Sequence, residues 1–129
     1  MKRFIFTALS IAFLICIVTL ISLFFWIKED VINNIELAER KYHAHGEEAL
    51  ISYLEDEANS YYDRTHLAIW TLGKIRSQKA LPVLKKYYLN DPEGQSCKGL
   101  HREKLCQYEL HKAIKAIEHG AFLSYATLR

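Results

Sequence analysis

From Phe4 to Ile27 the chain is apolar at every position except Thr7, Ser10, Thr19 and Ser22, with no charge in those twenty-four residues. A membrane-spanning helix needs about 20 such residues at about 1.5 Å of rise each. The buried helix of a soluble domain would show a polar stripe, and this run has none. Serine and threonine hydroxyls can bond back to the preceding turn, so they are compatible with insertion. Trp26 stands at the downstream edge, the place of an interfacial aromatic, and Lys28-Glu29-Asp30 ends the run. The segment exceeds the usual signal-peptide core, and no small-x-small cleavage site follows it, so it reads as an uncleaved anchor. Cys16 lacks the context of a lipoprotein cysteine, because Ile15 precedes it and the apolar run continues beyond it.

Downstream the pattern changes to one-sided helices. Val31, Ile35, Ala38 and Tyr42 recur at spacings of three and four, predicting a helix over 31–42. Gly46 breaks the pattern, and Ala49, Leu50, Tyr53 and Leu54 place one face of a helix over 47–57. Ser60-Tyr61-Tyr62-Asp63 has the spacing of a capping box and opens a helix over 61–75, with Leu67, Ala68, Leu72 and Ile75 inward. Arg76-Ser77 makes a turn before a helix over 80–89, with Leu81, Leu84 and Tyr88 inward and Pro82 in its first turn. Asn90-Asp91-Pro92-Glu93-Gly94 is a breaker cluster, followed by polar loop to about His101. The last helix is expected over 103–119, stopped by Gly120 in a left-handed cap. No segment has the alternation of a strand. The expected class is all-α, with an anchor over 1–28 and a helical domain over 29–129 containing an inserted loop at 91–104.

The helices resemble one another. Ala49-Leu50 recurs as Ala80-Leu81 thirty-one residues on, and Leu37-Ala38 with Tyr42 recurs as Leu67-Ala68 with Leu72 after thirty. Ala68-Ile69 with Leu72 recurs as Ala113-Ile114 with Ile117 after forty-five, the excess being the inserted loop. Such repeats bury their faces against one another. Asp63-Arg64, Leu67-Ala68, Leu72-Gly73-Lys74-Ile75 and Ala80-Leu81-Pro82 with Leu84 resemble the HEAT repeat family in its short bacterial form. The resemblance is closest over 61–90, fair over 103–120 and weakest over 31–58. It implies a short α-solenoid of about two and a half hairpins, with Asp63-Arg64 and Gly73-Lys74-Ile75 as scaffold. It also implies a surface that binds another protein. Iron-dependent hydroxylases built from HEAT repeats use His-Glu dyads, and no histidine here precedes a glutamate.

Charge refines orientation and partner. Lys2 and Arg3 flank the anchor closely on one side and Lys28 alone on the other, which favours a cytoplasmic N-terminus and an exported domain. Beyond the anchor the charges balance, but they divide. Residues 31–60 hold two basic and seven acidic side chains, and residues 61–129 hold twelve and six. The basic residues are scattered singly, as on a solvated face, so no nucleic-acid partner is expected.

Candidate chemistry is sparse. Cys97 and Cys106 bracket the inserted loop and suit a disulfide if the domain is exported. With His101 and His111 they also offer four metal donors, but without the close cysteine knuckle of a zinc site. Unpaired thiols are the third reading. His43 and His45 supply two donors beside a turn, and His66 reads as a packed or surface histidine. No nucleophile elbow or phosphate loop is present, and Glu47-Glu48 and Glu55-Asp56-Glu57 read as solvated charge. No enzyme, cofactor or small-molecule substrate is expected. Trp70, Tyr61, Tyr62 and Tyr87 are the interface candidates, since such side chains anchor protein interfaces, and core packing is the alternative for each. The expectation is a membrane-anchored interaction module with an unidentified protein partner. An accessory subunit or assembly factor of a membrane enzyme is the alternative, and a metal-dependent catalyst using the Cys/His loop comes third.

Overall fold

A computed structural model describes residues 2–120, with side chains from Leu9 onward. The flanking charges of Lys2 and Arg3, and the part of the expected domain after Gly120, lie outside the described side chains. The described residues are mostly helical and contain no strand. Five helices follow in order. They are α1 (Lys2–Tyr42), α2 (Glu47–Glu55), α3 (residues 61–75), α4 (Leu81–Tyr87) and α5 (Gln107–His119), with a 3-10 turn at Gln95–Cys97. The chain divides into two units, Met1–Asp30 and Val31–Arg129.

In the first unit the apolar side chains face outward on every side of the helix. Phe13 is 68% exposed and Leu14 60%. The stretch Leu9–Tyr42 reaches a mean hydropathy of 2.6 and is long and apolar enough to cross a membrane. Thr19 Oγ1 donates to the carbonyls of Ile15 and Cys16, and Ser22 Oγ to that of Val18, so these hydroxyls are satisfied within the helix. The helix does not stop at Ile27 as expected. Lys28-Glu29-Asp30 ends the apolarity, but without glycine or proline it does not end the helical backbone, and residues 31–42 continue α1.

In the second unit each helix buries one face. Val31, Ile35 and Ala38 of α1 join Ala49, Leu50, Tyr53 and Leu54 of α2, the expected stripes. Helix α3 lies against α2 and α5, and α5 also packs on α4. Leu72, Leu84 and Leu110 are fully enclosed, whereas Leu67 and Leu81 are half-buried, Leu89 is 72% exposed and Leu37 is exposed. Gly73 sets the closest approach: a Cβ added there would come within 2.9 Å of the Ala113 backbone. Two small residues therefore let α3 and α5 meet.

Helix ends explain the remaining differences. Ser60 caps α3 as expected, its Oγ accepting from the Asp63 N–H at 3.0 Å and donating to the Asp63 carboxylate at 2.7 Å. After this cap α3 widens into a π-helical stretch, Arg64–Ile69, that the hydrophobic spacing does not reveal. It closes at Arg76, a non-glycine residue in the left-handed region. Helix α2 stops at Glu55, before the expected Glu57. Asp56 there accepts from the Tyr42 hydroxyl at 2.5 Å and from the Ala58 N–H at 2.9 Å. Helix α4 is shorter than 80–89, and α5 begins at Gln107, four residues after the expected Glu103. The Gln107 side chain accepts from the Leu89 N–H and donates to the Tyr87 carbonyl, fixing the start of α5 to the end of α4. Gly120 is extended, with φ −88° and ψ 127°, and not the left-handed cap expected. Glu47 is not plain solvated charge either: it accepts from Ser77 Oγ at 2.5 Å and lies 3.4 Å from Lys79 Nζ.

Candidate functional site

The inserted loop and the two helices beside it hold most of the unusual side chains. Asp91 opens the loop by accepting from the N–H groups of Gln95 and Ser96 and from the Ser96 hydroxyl. These donors hold its carboxyl below the usual aspartate range, the Ser96 N–H contributing most. The loop then turns through Gly94, whose φ of +67° favours glycine. Cys97 follows at the end of the 3-10 turn, and Cys106 is the residue before α5. Both are buried, and their Sγ atoms stand 3.6 Å apart. That is contact distance. It exceeds the roughly 2.05 Å of a disulfide, so the expected bond is not formed in this structure and both residues are thiols.

The four Cys/His donors do not converge. His101 faces His66, Nδ1 to Nε2 at 3.2 Å, and the Tyr62 ring lies tilted against His66 with ring centroids 4.3 Å apart. His111 instead meets the Tyr88 hydroxyl through Nδ1 at 3.1 Å. Among the described residues no three His, Cys, Asp or Glu side chains come together as metal donors. Burial holds the His66 imidazole below the usual histidine value, and facing His101 adds to this; Glu109 and Asp63 pull the other way.

The aromatic candidates separate into three places. Tyr61 and Tyr87 flank Arg64, whose guanidinium carbon lies 5.6 and 5.5 Å from their rings. Arg64 is 3% exposed, and its Nε donates to the Leu54 carbonyl at 2.7 Å, satisfying an end of α2. Tyr61 and Tyr87 thus hold a packed cation between helices. Tyr62 belongs to the histidine pair, beside a hollow of about 380 Å³ bordered by Gly99, Leu100, His101, Arg102 and Glu103. Trp70 stands apart, half-buried, on a groove of about 90 Å³ between α3 and α5. Gly73 and Ala113 floor the groove, and Lys74, Glu109 and Lys112 border it. Lys74 Nζ lies 5.4 Å from the Trp70 ring, and Lys112 pairs with Glu109 at 3.1 Å.

Comparison of the chain with family models, with curated proteins and with solved structures finds no match.

Sequence reasoning missed the contacts of His66 with His101 and Tyr62, the partners that hold Arg64 and the Tyr88–His111 pair. The Tyr62/His66 spacing of four was a usable signal, because residues four apart share a helix face. The other partners lie 10 to 35 residues away.

Proposed function

We propose that this chain is a single-pass membrane protein with a cytoplasmic N-terminus and an exported helical domain. The domain is a short HEAT-like array that binds a partner protein and has no catalysis of its own. Its anchor is the uncharged stretch exposed around its full circumference, which an aqueous solvent would not tolerate as a surface. Support for the HEAT-like reading comes from the scaffold positions. Ser60 and Asp63 cap α3, Arg64 ties α3 to the end of α2, and Gly73 lets α5 approach.

The observation that carries the binding role is the groove beside Trp70. A half-buried indole over an apolar floor, bordered by Lys74, Glu109 and Lys112, has the make-up of an interface centre with a polar rim. A photo-crosslinking residue placed at Trp70 or Lys74 in the full chain in its native membrane tests it. One discrete adduct is expected from both positions and none from exposed Glu57. Equal labelling from all three would overturn the groove as the binding surface. A complex that survives detergent extraction at fixed stoichiometry would identify the partner relation as that of an accessory subunit.

A further inference from the structure

Cys97 and Cys106 close the base of the inserted loop, and their surroundings hold them to each other. Cys97 is 1% exposed and Cys106 3%. Cys97 Sγ receives the Gln107 N–H at 3.1 Å and lies 3.4 Å from the Gly94 carbonyl. A Cβ added at Gly94 would stand 3.3 Å from that sulfur and 3.0 Å from Tyr108 Cβ, so the loop backbone is pressed against the pair. On the other side the Cys106 N–H donates to Thr65 Oγ1 at 3.2 Å, fixing this residue against α3. From 3.6 Å, a bond needs about 1.6 Å of further approach.

From this geometry we propose that Cys97 and Cys106 form a disulfide by exchange with the disulfide of an oxidoreductase or with oxidised glutathione, and that the bond locks His101 of the loop against His66. The step conserves atoms and electrons. One cysteine loses its proton and its thiolate attacks a sulfur of the oxidant, expelling the first oxidant thiolate and leaving a mixed disulfide. The second cysteine loses its proton, attacks the first cysteine's sulfur and expels the second oxidant thiolate. Two protein thiols give up two protons and two electrons, and the oxidant disulfide becomes two thiols. Burial pushes the Cys106 thiol up, which suits the resolving role. Since both sulfurs are enclosed, exchange takes place while the loop is open, and the finished bond is shielded from reductant.

The test uses the purified full chain in detergent with chelator present, so that a metal cannot protect the thiols. The protein is unfolded and refolded in a mixture of oxidised and reduced glutathione, quenched with acid, alkylated and mapped by peptide mass. A Cys97–Cys106 linked peptide with Cys16 alkylated alone is expected. The oxidised domain should melt on the order of 10 °C above the reduced one, as expected for closing a loop of this length in a domain this small. Cys97→Ser should abolish both the link and the rise while leaving the reduced melting point nearly unchanged. Glutathione adducts or free thiols at both positions, a link through Cys16, or a rise that persists in Cys97→Ser would each overturn the proposal. The result does not depend on membrane orientation. The redox state of the pair in the cell would report on orientation separately.

Discussion

The segment at 9–27 and the domain beyond Val31 are both helices rich in leucine, isoleucine and aromatics, yet they put those side chains to opposite use. In the first unit Leu14 and Leu20 are 60% and 61% exposed, whereas Leu50 and Leu72 in the second are enclosed completely. The difference lies in the distribution of polar residues. A helix apolar all round has no face to bury and needs an apolar solvent, while one with a polar stripe can bury its other face against a neighbour. Backbone hydrogen bonding is complete within a helix in either setting, so helicity does not distinguish them. Only the pattern of side chains does.

This contrast predicts that one kind of damage stays in each unit. The largest effect is expected from Leu72→Ala, which removes a side chain enclosed where α2, α3 and α5 meet. The cavity should cost the domain about 2–5 kcal/mol of stability, read from chemical denaturation, while the chain still pellets with membranes. Comparable melting of variant and parent would contradict the packing described. A charge in the anchor should act in reverse. Leu14→Arg places a cation within the apolar run, at an insertion cost of about 2.5–3.5 kcal/mol near a bilayer centre. A smaller membrane-inserted fraction is expected, measured by carbonate extraction, with the melting point of the domain unchanged. Loss of both properties in either variant would show that the two units do not depend on separate solvents.

How far the sequence revealed each unit follows from the same contrast. The long apolar helix is legible because continuous apolarity is a local signal that needs no partner. The buried faces of α1 and α2 are legible too, since Val31, Ile35 and Ala38, then Ala49, Leu50, Tyr53 and Leu54, repeat at helical spacing. Helix ends are less so. Gln107 begins α5 because its amide bonds to Leu89 and Tyr87, some twenty residues earlier, and no local spacing encodes that. The proximity of Cys97 and Cys106 was legible from their position around one loop. The separation of His101 from His111 was not, because one meets His66 of α3 and the other meets Tyr88, just past the end of α4. Trp70 was left between interface and core by the sequence, and α5 reaches its flank through Gly73 and Ala113 and leaves it half-buried.

His66 gives the smallest expected effect and the most local test, because it feels apolar and aqueous surroundings together. Its ring is partly enclosed by Tyr62 and His101, with Asp63 and Glu109 as the carboxylates that oppose the effect of burial. Its folded-state pKa lies below the ordinary histidine value of 6.5, chiefly through burial and secondly through His101. An unfolded chain then holds the proton more readily than the folded one. The stabilisation is fully present above the unfolded value and is lost as pH falls through the folded value. Much of the ring is open to water, so the change in stability should be small and best read at the site. An NMR titration of the His66 ring should show a midpoint below 6.5 in the parent. His101→Ala should move that midpoint part of the way back, because the facing imidazole is removed while the burial by Tyr62 remains. A midpoint unmoved by His101→Ala would assign the whole shift to burial and deny that the loop histidine presses on α3. A midpoint at or above 6.5 in the parent would mean that the two carboxylates outweigh the enclosure.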